Sequence, residues 1–377
     1  MEYDYIISFA LAFIVAFSST PIVRRIAFKI GAVDVPKDAR RMHKKPIARL
    51  GGMAIFSGFI VSLMFGVVSA LLDVSGILPT RQLLGLLVGV FIIVAIGIID
   101  DVKQLGAKFK LVFQIAAALS VVIISGTRIT TLTNPFASGG VSQLNDVSSY
   151  ILTILWIVGV TNAINLIDGL DGLAAGVSSI SYLSLFFISI LNGEASDAII
   201  IAILAGATLG FLPYNFNPAK IFMGDTGSTF LGFTLAVISI QGMMKTYAAF
   251  SIAIPLLVLG LPLFDTASTI IRRILKRKPI MEADREHLHH RLIDMGLSQK
   301  QSVGVMYTAS AALGLCAVVL TDRGVLGAIV LIVSISVFVI AGARYMNEME
   351  DIEIDKKDEI KETINNISIK EVKDAEN

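Results

Sequence analysis

Cysteine is almost absent. Cys316 stands alone in an apolar run, which excludes an intramolecular disulfide and any multi-cysteine metal site and leaves it the part of a small apolar side chain. Charge is scarce as well: 16% of the 377 residues are charged against 55% hydrophobic, a balance that suits neither a water-soluble globule nor a disordered chain. A formal net charge of +1 lacks the excess of Lys and Arg that a duplex-binding domain needs, so nucleic acid is not an expected partner. The opening Met1-Glu2-Tyr3-Asp4-Tyr5 has no basic flank, and the run after it has no small-residue cleavage pattern. It reads as a retained first span instead of a signal peptide. No period of about 20 to 50 residues recurs, which weakens a repeat-built transporter.

What the sequence has in quantity is apolar runs. Mean hydropathy is +0.77. Eleven stretches approach the length of a membrane crossing, at roughly 5–26, 53–72, 83–99, 111–126, 149–164, 173–191, 197–213, 228–244, 248–270, 304–321 and 325–343. Strand-like alternation is missing and backbone groups cannot stay unpaired in lipid, so the expected fold is an all-α polytopic membrane bundle. An odd number of spans puts the two ends on opposite sides. Of 31 Lys and Arg, 27 fall in one set of alternate loops and the C-terminal tail, among them Arg24, Arg25, Arg40, Arg41, Lys44, Lys45 and Arg49. By the positive-inside rule that side is cytoplasmic, with the N-terminus outside and the C-terminus inside. The composition divides the chain into a membrane domain, 1–343, and a charged cytoplasmic tail, 344–377, with 11 acidic and 6 basic residues.

A carboxylate within a span costs about 2.5 to 3.5 kcal/mol, so intramembrane acids are functional candidates. Asp100, Asp101, Asp168, Asp171, Asp225 and Asp265 all fall at or near the cytoplasmic ends of spans. That placement suits a site working on a cytosolic substrate better than a midplane ion pathway, which a secondary transporter, the more distant alternative, would use.

Asp100 and Asp101 close the third span, where the helix dipole makes two carboxylates unfavourable without a cation. Lys103, Lys108 and Lys110 or a divalent metal supply it. In Thr161-Asn162-Ala163-Ile164-Asn165-Leu166-Ile167-Asp168-Gly169-Leu170-Asp171-Gly172, polar groups recur every third residue, yet an unbroken helix would set Asn162 and Asp171 on opposite faces. A break at Gly169 and Gly172 would gather amides and carboxylates round one ligand; a simple helix N-cap from Asp168 or Asp171 is the other reading. Phe222-Met223-Gly224-Asp225-Thr226-Gly227-Ser228 leads into a span and suits a phosphate or metal-phosphate cradle at a helix N-terminus, or an N-cap by Asp225 with Phe222 in the core. In Asp284-Arg285-Glu286-His287-Leu288-His289-His290-Arg291, a helical turn would put His287, His290 and Arg291 on one face, suited to a pyrophosphate. A zinc site would need a third ligand. Asp265 is expected to pair with Arg272 or Arg273 one to two turns on.

Three acidic clusters and a basic histidine loop on one membrane face suggest phosphoryl transfer between an anionic soluble donor and an anionic lipid. Together, these motifs resemble those of the polyprenyl-phosphate N-acetylhexosamine-1-phosphate transferases, over essentially the whole chain through residue 343. The His-x-His-His-Arg loop is similar to the branch using UDP-N-acetylglucosamine (UDP-GlcNAc), the WecA/TagO type. A related transferase using another UDP-HexNAc or UDP-MurNAc-pentapeptide is the alternative within the family.

The resemblance implies transfer of N-acetylglucosamine-1-phosphate from UDP-GlcNAc to undecaprenyl phosphate with release of UMP. This is the first membrane step of cell-wall polymer, teichoic acid or O-antigen synthesis, at the cytoplasmic face of a bacterial plasma membrane. It implies Mg2+, with Mn2+ as a substitute, on Asp225 and Asn165, with Asp100 and Asp101 as further ligand candidates. Catalytic parts fall to Asp100, Asp101, Asp168 and Asp225. Phe222 would stack on uracil and Asp171 meet its polar edge, Lys110 would hold the lipid phosphate, and Asn162 would join the substrate contacts. His287, His289, His290 and Arg291 would contact the donor pyrophosphate. Expected partners are the UDP-sugar, undecaprenyl phosphate and the bilayer, with a homodimer left open.

Overall fold

The computed structural model describes residues 2–35, 45–72, 77, 80–133, 141–243, 252–277, 279, 287–322 and the isolated positions 327, 329 and 333. The chain divides into two compact units, Met1–Asp322 and Arg323–Asn377. The expected span at 325–343 and the tail at 344–377 lie outside the described residues, apart from those isolated positions.

The first unit is built of helices: α1 Glu2–Ile30, α2 Gly52–Leu71, α3 Arg81–Lys103, α4 Ala107–Ser120, α5 Asp146–Leu166, α6 Leu173–Leu191, α7 Ala195–Asn215, α8 Gly224–Met243, α9 Ala253–Val258, α10 Gly260–Leu275 and α11 Leu288–Asp294. The last is α12, Gln299–Asp322. Among the described residues, eight helices are long and apolar enough to cross a membrane: α1 to α7, with α4 extended by the wider turn Val121–Ser125, and α12. This is an all-α multi-pass membrane protein. The expected single span at 248–270 is divided: α9 and α10 meet at Leu259, with Pro255 and Pro262 on either side, and each proline lacks the N–H that a continuous ladder would use.

Helices α6 and α7 are 67% and 72% buried over their apolar windows, whereas α1 is only 28% buried. The former are interior and the latter faces lipid. Small residues let the backbones approach, as membrane packing without a hydrophobic drive requires. A Cβ at Gly58 of α2 would lie 2.7 Å from the Ala12 carbonyl oxygen of α1, and one at Gly232 of α8 would lie 2.8 Å from Thr161 Cα of α5. Buried hydroxyls cross-link the interior. Tyr182 of α6 bonds Thr234 of α8 (2.6 Å), and Trp156 of α5 donates to Ser239 of α8 (3.0 Å).

Two small sheets, which the missing alternation does not foretell, complete the fold. β1 (Val33–Asp34), β2 (Ile47–Arg49) and β5 (Ile221–Phe222) form a sheet in the order β1-β2-β5. β1 and β2 are antiparallel; β2 and β5 are parallel, with Ala48 opposite Ile221 and Arg49 opposite Phe222. β3 (Thr131–Thr133) and β4 (Val141–Gln143) form an antiparallel pair in the α4–α5 connection. The first sheet stitches the α1–α2 connection to the α7–α8 connection, and so builds the end of the bundle that carries the acidic motifs.

Candidate active site

The site is organised by the start of α8. Four N–H groups at a helix N-terminus have no helical partner and carry partial positive charge. Asp101, at the end of α3, supplies what they lack. Its carboxylate accepts from Asp225 N (2.8 Å), Thr226 N (3.0 Å) and the Thr226 hydroxyl (2.6 Å). Gly224 makes the approach possible, since it has φ 72° and a Cβ there would meet the Asp101 carboxylate and the Arg49 carbonyl oxygen at 2.8 Å or less. The cap of α8 is therefore Asp101, and Asp225 is in the first turn with its side chain left for the cavity.

Of Lys103, Lys108 and Lys110, it is Lys110 that stands beside the aspartate pair, joined by Arg49, which the motifs do not include. Lys110 Nζ lies 3.1 Å from Asp100 and 2.5 Å from Asp225 Oδ2. Arg49 Nη2 lies 3.3 Å from Asp101 and 3.5 Å from Asp225 Oδ1. The other oxygen of Asp100 accepts the Leu105 N–H (2.5 Å), closing the chain after α3.

The polar run after α5 breaks as its spacing requires. α5 ends at Leu166, residues 167–172 turn, and α6 begins at Leu173 behind Gly172 at φ 79°. Ile167 and Leu170 are buried and anchor the turn. Neither aspartate caps α6, whose N-cap Gly172 offers no side chain. Asp171 instead binds Asn217 Nδ2 and Ala219 N, both at 3.0 Å, while Asn217 also donates to Gln299 of α12 (2.6 Å). Asn165 commits its amide nitrogen to Ser228 Oγ (2.7 Å). Burial, followed by the negative charges of Asp225 and Asp101, pushes Asp168 up to about 8 against the pull of Arg49.

These groups line one cavity of about 740 Å³, within the size range of ligand sites. It gathers Lys110, Asn165, Asp168, Asp171, Phe222, Asp225 and His290 from the expected set, and adds Asp34, Lys45, Arg49, Asn217 and Gln299. Asp100 touches it through Lys110. Asn162 does not line it: its amide bonds Gln114 of α4 (2.7 Å) and the Val158 carbonyl (2.8 Å), one turn back along α5.

The histidine loop departs further from expectation. His287 precedes the helix in an extended conformation and is buried, its Nδ1 2.8 Å from Asp265. The other Asp265 oxygen accepts Leu288 N at 2.7 Å, so Asp265 holds the start of α11. Arg272 donates to the Thr269 hydroxyl, and Arg273 to the Pro279 carbonyl. His289 is 1% exposed and packs against Gly169, with neither ring nitrogen bonded. Burial, reinforced by the neighbouring His290, draws its pKa down to about 4. Arg291 is exposed and lines no part of the cavity. The shared face of His287, His290 and Arg291 is thus not formed, because the helix begins only at Leu288; His290 alone reaches the cavity. The zinc alternative finds no group of three His, Cys, Asp or Glu ligands among the described residues.

A membrane helical bundle with a cavity at one end, flanked by carboxylates, amides, cations and an aromatic ring, is suited to an anionic ligand with a planar part. Residues 83–243 match the glycosyl transferase family 4 profile, and the chain belongs to that family. It is 42% identical over 84% of its length, and 84% of the relative's, to the probable undecaprenyl-phosphate N-acetylglucosaminyl 1-phosphate transferase of Bacillus subtilis (strain 168). It is 35% identical to the decaprenyl-phosphate N-acetylglucosaminephosphotransferase of Mycobacterium tuberculosis (strain ATCC 25618 / H37Rv), over 78% of this chain and 77% of the relative. With the undecaprenyl-phosphate alpha-N-acetylglucosaminyl 1-phosphate transferase of Escherichia coli O157:H7 it shares 28% identity, over 77% and 76% of the two chains.

Proposed function

We propose that this protein transfers N-acetylglucosamine-1-phosphate from UDP-GlcNAc to undecaprenyl phosphate on the cytoplasmic face of a bacterial plasma membrane. The observation that carries the reading is the convergence of Asp100, Lys110 and Asp225, from three different helices, beside a cavity that also holds Phe222 and Asp171. The names of the relatives point to the same reaction, and the side follows from the 27 of 31 basic residues in one set of loops and the tail.

In the reaction, an oxygen of the lipid phosphate bonds to the phosphorus attached to the sugar, and the bond from that phosphorus to the bridging oxygen breaks, so UMP departs with that oxygen. Several anionic groups meet, and positioning with charge neutralisation dominates the barrier. The acceptor needs little help to ionise: a phosphate monoester with a second pKa near 6 is mostly dianionic at about pH 7. Lys110 is placed to receive it once Asp225 turns to its ligand. Phe222, on the cavity wall, would stack on the uracil, and Asp171, steadied on one oxygen by Asn217 and Ala219, would meet the base edge.

The donor set fits Mg2+ in company with substrate. The cavity wall offers the oxygen donors of Asp225, Asp168 and Asn165, and Mg2+ is commonly held by one or two carboxylates plus substrate phosphates. Asp225 and the Asn165 carbonyl oxygen would hold it, with Asp168 on the cavity wall beside them. Bound there, it supplies charge neutralisation at the diphosphate.

The test is UMP release by purified protein given Mg2+, undecaprenyl phosphate and a panel of UDP-sugars. UDP-GlcNAc is expected to be the preferred donor, EDTA to stop release, and Asp225→Asn to abolish it. Full activity in EDTA, or in the Asp225→Asn protein, removes the metal assignment; preference for a UDP-muramoyl-pentapeptide moves the protein to the other branch.

A further inference from the structure

Arg49 belongs to none of the acidic or histidine motifs and lies outside the segment matched by the family profile, residues 83–243. By sequence it is one basic residue among many in its loop. Its placement is specific. Strand β2 sets it opposite Phe222 of β5, and its guanidinium reaches Asp225 three residues further on. The strand is held hard against the site: Gly51 N donates to the Phe222 carbonyl (2.9 Å) and Gly52 N to the Met223 carbonyl (2.8 Å).

We propose that Arg49 is the donor-side anion anchor of the cavity, holding Asp225 while the site is empty and binding the diphosphate of the nucleotide sugar when it is filled. The inference rests on the transfer reading above and assigns a substrate contact within it. If uracil lies on Phe222 and the diphosphate meets Asp225, the phosphates pass Arg49, which the strand register sets opposite Phe222 and beside Asp225. The two oxygens of Asp225 are divided between two cations, Lys110 on Oδ2 from α4 and Arg49 on Oδ1 from β2. One carboxylate flanked by two cations gives each substrate anion its own positive partner. The Arg49 side chain is 21% exposed toward the cavity, whereas that of Asp101 is fully enclosed. A planar guanidinium with five donors can keep Asp101 with one edge and present the rest to phosphate oxygens, which a lysine ammonium at the same place cannot do with equal geometry.

The experiment compares full-length Arg49→Ala and Arg49→Lys with the wild type. Loss of a charge-assisted contact is expected to raise KM for UDP-GlcNAc about tenfold or more in Arg49→Ala, with KM for undecaprenyl phosphate nearly unchanged and partial recovery in Arg49→Lys. Binding of Mn2+ to the protein without substrates, followed by electron paramagnetic resonance, is expected to stay equal or tighten in Arg49→Ala, because a competing cation has left Asp225. An unchanged KM for UDP-GlcNAc overturns the proposal. So does parallel weakening of both substrates and of Mn2+ together with a lowered thermal midpoint, which marks a purely structural role. Equilibrium binding of UDP-GlcNAc to the same proteins separates this proposal from the transfer reading. Arg49-dependent binding without turnover sinks the reaction and keeps the contact; binding indifferent to Arg49 sinks the contact alone.

Discussion

Replacing Asp101 by Asn tests whether the two adjacent aspartates do different work. The Asp101 carboxylate receives two backbone N–H groups and a hydroxyl from the first turn of α8, in a position without solvent. Asn has the same shape but one acceptor oxygen. Whichever way its amide turns, an NH2 group faces at least one of those donors, and one or two of them lose their partner. At roughly 1 to 3 kcal/mol for each buried unsatisfied group, the expected destabilisation is about 1 to 6 kcal/mol. Asp100→Asn keeps an oxygen for Leu105 N and loses only its side of the Lys110 pair, while Lys110 retains Asp225, so its expected cost is about 1 kcal/mol or less. The assay is thermal unfolding in detergent followed by the fluorescence of Trp156, the only tryptophan, which bonds Ser239 on α8 itself. Asp101→Asn should unfold well below the wild type, and Asp100→Asn close to it. Equal midpoints for Asp101→Asn and the wild type, or a larger fall for Asp100→Asn, would refute the capping argument.

Asp265→Ala and His287→Ala should impair transfer to a similar degree, and the double variant should lose little more than either, with a coupling of about 1 to 3 kcal/mol in a double-mutant cycle on kcat/KM; additive losses would show that the pair does not act as a unit. Gly52→Ala should lower the thermal midpoint sharply because its Cβ would enter the Gly227 backbone, whereas Gly106→Ala, with nothing within 4 Å, should be neutral in the same melt. His289 has a folded pKa near 4 against about 6.5 when unfolded, so its stabilising contribution is present above about pH 6.5 and is lost as pH falls toward 4. His289→Met should flatten that limb of the stability profile by up to about 3 kcal/mol, and an unchanged limb would contradict the buried neutral imidazole.

The parts of this molecule that show in its sequence are those set by local rules. Apolar runs report helices that meet lipid, and glycines after Asn165 report the turn that lets Asp168 and Asp171 enter one cavity while Asn162 stays behind on α5. The division of residues 253–275 at Leu259 was signalled only by Pro255 and Pro262, which apolar counting passes over. What local rules do not carry are pairings between distant segments. Asp101 caps a helix that starts more than 120 positions later, and a run of hydropathy around either partner says nothing of the other. Arg49 is masked by the positive-inside excess of its own loop, where one functional arginine has the same composition as a topological one. The histidines mislead for the opposite reason. Their crowding suggests one anion-binding surface, yet Asp265 draws His287 inward and Gly169 receives His289, leaving His290 for the cavity.

The fate of the phosphate next to the sugar tests the central claim most directly. With UDP-GlcNAc labelled at that phosphate and undecaprenyl phosphate as acceptor, the label should pass into the lipid fraction while unlabelled UMP is released. Label kept in UDP, as a plain glycosyl transfer would leave it, or freed as inorganic phosphate, would contradict the account.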